Sequence, residues 1–248
     1  MAAHVLTNAQ VVLSGSTGGG DLTPFSGQIS MMGKVNQVDV TTFGSGGYQT
    51  FAPGLETYTH TLSGISDMSA TGVNSLVTAT NLGNQYGLYC APQGGAAAGD
   101  PVIFTRGILS EFAPFGGGIG EASKFSMGLT SDTALVDGYV LAPLASRGAL
   151  TGTSVTMTGP TATQKVYAAL YVTGAVGTGL TVTIQSAPLS NFATPTTRFT
   201  FSATSATGFQ WAAPVSGAIT DGFWRAVATV TTSTFTWAAH IGVLDNNL

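Results

Sequence analysis

Apolar and polar residues alternate with a period of two over much of this chain. Between Val35 and Thr42, Val38 and Val40 oppose Asp39 and Thr41. Between Thr57 and Ser63, Tyr58, His60 and Leu62 oppose Thr57, Thr59 and Thr61. Successive side chains of a strand point to opposite faces, so this period predicts half-buried strands. Apolar or β-branched runs predict further strands at His4–Leu13, Tyr86–Cys90, Val102–Leu109, Ala122–Leu129 and Val136–Leu141. Runs such as Pro92-Gln93-Gly94-Gly95 and Pro114-Phe115-Gly116-Gly117-Gly118 separate them with turn chemistry.

One segment has helical spacing. Val73, Leu76, Val77 and Thr80 recur at i, i+3, i+4 and i+7. Asp67 and Ser69 precede them as N-cap candidates, and Gly83 follows as a C-terminal cap. Gly72 and the threonines weaken its intrinsic propensity, so burial against a sheet must hold this helix. The span Phe43–Glu56 reads as a loop of fourteen residues, where hairpins use about 2–5. It carries Phe43, Tyr48, Phe51 and Leu55, too much apolar area for a plain solvated linker.

Past Pro143–Gly148 no helical period remains. Strands are expected at 153–158, 165–173, 180–186, 198–203, 209–212, 222–230 and 234–243, a β-sandwich pattern. The expected fold class is mainly β. Residues 1–145 form a β-sandwich or barrel with one flanking helix, and residues 146–248 form an all-β sandwich.

Composition narrows the function. Of 248 residues, 7 are Lys or Arg and 11 are Asp or Glu, so 7% are charged, against about 25% in ordinary domains. The net charge of −4, with no basic cluster, excludes a basic nucleic-acid reader. An apolar share of 44% excludes charge-driven disorder. One cysteine, Cys90, excludes a disulfide framework. No apolar run approaches the ~18 residues of a membrane helix. Met1–Leu6 lacks a basic and a long apolar region, so no secretory leader is expected. Few charges are left to hold identical copies apart. Those charges are segregated: residues 1–145 hold 3 basic and 9 acidic side chains, and residues 146–248 hold 4 basic and 2 acidic.

Catalytic and ligand motifs are largely missing. Gly15–Gly20 is not followed by Lys-Ser/Thr, and Gly116-Gly117-Gly118-Ile119-Gly120 runs into Glu121 between strands. Neither is a phosphate loop. His4, His60 and His240 lack metal spacing, and Cys90 has no cysteine partner. His60 is expected as a partly buried, hydrogen-bonded side chain. No enzyme, cofactor or metal is expected. Trp211, Trp224 and Trp237 are candidates for core, and Trp211 and Trp224 also for a sugar-binding platform.

The run Val38-Asp39-Val40-Thr41-Thr42-Phe43-Gly44, then Pro53-Gly54-Leu55 and Leu62-Ser63-Gly64, resembles the tail tube (major tail) proteins of long-tailed bacteriophages. The helix after Asp67, the Gly-rich hairpin and Asp137-Gly138-Tyr139-Val140-Leu141 keep that family's order across residues 1–145. The second segment is similar in pattern to the Ig-like or lectin-like sandwiches that decorate phage tails. The resemblance implies a virion protein, made in the bacterial cytoplasm, that forms homo-hexameric rings stacked into a tube for DNA ejection. It implies contact with a tape measure and a tail terminator, and DNA in transit without specific binding. It also implies an inter-ring loop with Phe43, Gly44, Tyr48, Phe51, Pro53 and Leu55. Asp39, Glu121, Asp132 and Asp137 are candidates to line the lumen, where acids repel phosphate. Host-surface glycans are candidate partners of the outer segment, and no membrane is involved. A capsid decoration, a tail-tip protein and a glycan-binding module are the alternatives.

Overall fold

The computed structural model describes residues 8–69 and 71–245. His4 and the start of the first expected strand lie outside them. The architecture is mainly β, with all pairings antiparallel and one short α-helix.

The first part contains eight strands: β1 (Gln10–Gly15), β2 (Gly18–Asp21), β3 (Ser26–Asp39), β4 (Phe51–Ile65), β5 (Gln85–Ala91), β6 (Pro101–Ala113), β7 (Lys124–Ser131) and β8 (Val136–Arg147). Seven of them follow the order β2-β1-β5-β6-β7-β4-β3. This bent sheet encloses Val11, Leu13, Leu62, Tyr86, Leu88, Leu109, Phe125 and Leu129. Helix α1 (Val73–Leu76) adds Val73, and Val77 just beyond it is also fully buried.

The expected helix shrinks to this single turn, followed by a 3-10 turn at Ala79–Asn81. The period is right for Val73 and Val77, which are buried, and for Leu76, which is partly buried, but Thr80 is exposed. Propensity is the reason for the length: Gly72 takes the N-cap place, and the threonines that follow are weak helix formers. The Asp67 carboxylate accepts from the Ser69 N–H at 2.8 Å, a local turn that competes with helix.

The second part is a sandwich, as the alternation requires. One sheet joins β9 (Leu150–Thr151) and β10 (Val155–Thr156) to β16 (Phe223–Thr229), β12 (Thr181–Ala187) and β13 (Thr196–Thr200). It faces β8, β17 (Phe235–Asp245), β11 (Gln164–Ala175), and β14 (Gly208–Trp211) with β15 (Val215–Ser216). Trp224, Trp237, Phe199, Phe201, Leu170 and Ile184 fill the space between.

β8 belongs to both parts. One edge pairs with β6 at Pro101–Phe104, and the other pairs with β17. The composition change near residues 145/146 therefore lies within a strand, not a linker. Gly138 faces Gly242 across the β8–β17 pair, and a Cβ on Gly138 would run into the Ile241 carbonyl. This close approach gives the glycine of Asp137-Gly138-Tyr139 its physical reason.

A third core fills the seam between the parts. Val12, Tyr89, Val102, Phe104, Val136 and Val140 pack against Ala169, Tyr171 and Ala238. The Tyr89 and Tyr171 rings meet edge-on at 4.9 Å, and the His240 ring meets Tyr89 edge-on at 4.2 Å. The Ser14 hydroxyl donates across the seam to the Gly208 carbonyl at 2.7 Å.

Candidate functional site

The arm is built by a mismatch of strand lengths. β3 and β4 pair from Ser26↔Gly64 to Asp39↔Phe51, but β7 accompanies β4 only from Ile65 to Tyr58. Beyond Tyr58 the two strands run on as an unaccompanied ribbon. Seven further residues at ~3.3 Å each carry it roughly 23 Å to Phe51. The expected loop at 43–56 is thus shortened. Its second half, Phe51–Glu56, is strand, and the true connection spans 40–50.

Pro53-Gly54-Leu55 lies in a bulge of the ribbon, where the register shifts between Val35 and Gln37. Proline lacks an N–H and is tolerated where ladder bonds are interrupted. A Cβ on Gly54 would sit 2.7 Å from the Asn36 carbonyl oxygen. The tip is held by its own polar groups. Asp39 accepts from the Thr41 N–H at 2.9 Å, and Ser45 Oγ accepts from the Thr42 N–H at 3.0 Å. Hydrogen bonding from the Thr41 side chain, then from its backbone N–H, holds the Asp39 carboxyl below its usual range. Gly46 and Gly47 turn the chain back with φ of 64° and 86°.

Polar bonding at the tip leaves its large side chains in water. Among the described residues, eight of the seventeen exposed large apolar side chains lie between Met32 and Leu55. Phe43 is fully exposed, Tyr48 is 80% exposed and Leu55 is 83% exposed. Of the residues expected for the inter-ring loop, Phe43, Gly44 and Tyr48 sit at the tip. Phe51, Pro53 and Leu55 sit on the β4 side of the ribbon.

The opposite end of the same strands carries a second apolar group. Ile65 and Met68 are exposed there, and so are Phe115 and Ile119 in the β6–β7 connection. The Ser66 hydroxyl donates to the Pro114 carbonyl at 2.6 Å, and its N–H donates to the Ser123 carbonyl at 2.9 Å. These bonds bring the two segments side by side. From Phe51 to Ile65, β4 separates this end from the arm by about 45–50 Å. Sequence reasoning missed the second group. Its signal was Phe115 and Ile119 flanking the glycines rejected as a phosphate loop.

The four candidate lumen acids lie on different elements and do not bond to one another. Asp39 is at the arm tip, and Glu121 accepts from the Gly118 N–H at 3.2 Å in the β6–β7 connection. Asp137 is exposed on β8. Asp132 follows β7 and is paired with Arg106 at 3.0 Å, so its charge is locally compensated.

The two candidate aromatics separate sharply. Trp224 is 0% exposed and its indole N–H donates to the Met157 carbonyl at 3.2 Å. It is core, and the expectation of a binding platform there is corrected: its strand faces the inside of the sandwich. Trp211 is half-buried at a cleft. His60 is buried and bonds Ser131 Oγ at 2.7 Å, with burial pushing its pKa down to about 4. Burial pushes the Cys90 thiol up to about 11, far from a reactive thiolate. No cluster of metal-ligating side chains occurs among the described residues. Nor is any helix among them long and apolar enough to cross a membrane.

No protein-family model matches the chain, and no curated protein does. Solved structures give likenesses of fold to dissimilar sequences. A chain from the tail of an empty gene transfer agent particle, refined with C6 symmetry, is 12% identical with a TM-score of 0.40. The match covers 54% of this chain and 97% of that one. The SPP1 tail tube gives 11% identity and 0.41, covering 54% and 78%. The Dit protein of SPP1, a hub of the adsorption apparatus, gives 10% and 0.36, covering 94% and 99%.

Proposed function

We propose that this chain is a structural protein of a phage tail that assembles head to tail, as hexameric rings stacked into the tail tube. The observation that carries it is the pair of apolar groups at opposite ends of one sheet. An isolated two-stranded ribbon is marginal in water, so the arm needs a partner surface. A second copy offers one in the Ile65, Met68, Phe115 and Ile119 end. A contact between two different surfaces closes into a ring only where its rotation closes, and one made end to end along the strands stacks copies as a filament. Among the described residues β3 bonds only to β4, so its other edge is open for pairing with a neighbour within a ring. The six-fold number comes from the sequence resemblance.

In this reading residues 1–145 form the tube wall and residues 146–248 an outward sandwich. The acids of the wall keep DNA sliding, because phosphate contacts by Lys and Arg supply most non-specific affinity. Asp39, Glu121 and Asp137 carry this role, and Asp132 adds little beside Arg106. The tape measure and the tail terminator are the expected partners inside the tube and at its end.

Negative-stain microscopy of the purified full chain tests this. Tubes or stacked rings are expected. A Phe43→Ser/Phe51→Ser variant is expected to stay folded by circular dichroism and to stop at single rings or monomers. A full chain that remains monomeric at high concentration refutes the proposal. Wild-type rings that never stack point instead to the tail-tip alternative. Normal tubes from the double variant remove the arm's role.

A further inference from the structure

β14 ends the sheet on one side and, among the described residues, pairs only with β11. Its last residue, Trp211, stands between two concavities of about 470 and 510 Å³ where the two parts of the fold meet. That is the size range of small-ligand sites, about 300–1,000 Å³. Both concavities are lined by Trp211 and Arg106. The other tryptophans are fully buried in the sandwich core. The Trp211 ring is held in place by Phe104 at 5.5 Å and Tyr167 at 6.2 Å. What they leave uncovered forms a rigid aromatic wall.

A hydrogen-bonded polar group lies beside that wall, with Arg106 and Gln85 lining the same cleft. Arg106 Nε donates to Asp132 Oδ1 at 3.0 Å, and Gln85 Nε2 donates to Asp132 Oδ2 at 2.7 Å. Among the described residues the two terminal nitrogens of Arg106 make no hydrogen bond, so they can still donate. Gln210 is fixed by two bonds of 2.8 Å to the Ser202 backbone and stiffens the opposite side.

We infer that this junction cleft binds a neutral saccharide, with a pyranose ring stacked on Trp211. A sugar ring has an apolar C–H face and a rim of adjacent hydroxyls. The indole covers the first, and the guanidinium and the amide, both fixed by the Asp132 carboxylate, bond the second. The Arg106–Asp132 pair is close to neutral, and its carboxylate disfavours a phosphate or a uronate at the same place. Both halves of the fold line the cleft: Gln85 and Arg106 from the first, and Trp211 from the second. This site does not depend on the tube proposal.

The full chain applied to a glycan array tests it, with each hit then titrated by calorimetry for every variant and by tryptophan fluorescence for the wild type. Trp211 is the half-buried tryptophan, so a ligand-induced emission change reports on it. Trp211→Ala should weaken binding at least about tenfold, the scale of one lost stacking contact. Trp211→Phe should retain most of it, and Gln85→Ala should weaken it several-fold. Thr207→Arg, at an exposed lining position, should block the cleft without touching the core. The Phe43→Ser/Phe51→Ser arm variant should bind as wild type, which separates this site from assembly. An array without hits, binding unchanged in both Trp211→Ala and Thr207→Arg, or a stronger fluorescence response to adenosine than to any saccharide overturns the inference.

Discussion

Cutting the chain after residue 145 should not yield a stable folded fragment. The cut falls two residues before the end of β8 and removes β17 and β11. It bares the seam face of Val12, Tyr89, Phe104 and Val140, each at most 1% exposed in the whole chain. Full burial of such a side chain contributes about 1.5–3 kcal/mol, so half-exposure of these four costs about 3–6 kcal/mol. β8 also loses the ladder on one edge. A domain has only about 5–15 kcal/mol in total. The fragment should therefore be poorly soluble, or compact without a cooperative melt, and should bind a hydrophobic dye. Soluble yield, circular dichroism melting and dye fluorescence of residues 1–145 against the full chain measure this. A soluble fragment with a sharp transition near that of the full chain would refute the seam's importance. A companion variant keeps the test independent of the cut. Tyr171→Ala in the full chain should cost about 3–5 kcal/mol, as for other large core truncations, and should lower one shared transition.

Three further outcomes follow from the coordinates. Gly138→Ala pushes a methyl group at the Ile241 carbonyl and should destabilise by at least about 2 kcal/mol, read as a lower urea midpoint. His240 is fully buried among Tyr89, Tyr171 and Phe104, and burial lowers its pKa to about 3. The unfolded chain takes up that proton first, from about pH 6.5 downward. Stability is thus complete above pH 6.5 and falls by about 3 kcal/mol at pH 4 through this residue alone. His240→Phe should flatten that slope in urea melts across pH 4–7, and an unchanged slope would rule His240 out as its source. Asp221 accepts from Ser186 Oγ at 2.6 Å and from Arg198 Nη2 at 3.0 Å. Asp221→Ala leaves Arg198 and Ser186 bonded to each other at 2.8 Å but removes the carboxylate that both share, and should cost about 1–3 kcal/mol in the same melts.

Local pattern carried most of the strands. The seven expected after residue 146 match β10 to β14, β16 and β17 within a few residues: β12 and β16 bury one face at a period of two, and β11 and β17, buried on both faces, show as apolar runs. The arm was legible as an apolar, glycine-rich span. Its strand content was not, because Pro53 and Gly54 ordinarily signal a turn and here occupy a bulge. The seam was invisible. Tyr89, Tyr171 and His240 are far apart in sequence, and no periodicity within one strand reports which face meets another part of the chain. The same limit hid the cleft, whose Trp211 and Arg106 come from opposite halves. Trp224 and Trp211 look alike in sequence, and only the sheet shows that one faces inward.

The sharing of β8 also sets a timetable for synthesis. β17 follows every other strand in the chain, yet it inserts between β8 and β11 in the middle of a sheet. A nascent chain on the ribosome holds the arm long before it holds β17. Until residue 245 has emerged, β8 has one open edge and His240 has no box to fill. An interrupted chain therefore stays unfinished at its centre, with an open strand edge and bare apolar surface that leave it prone to proteolysis.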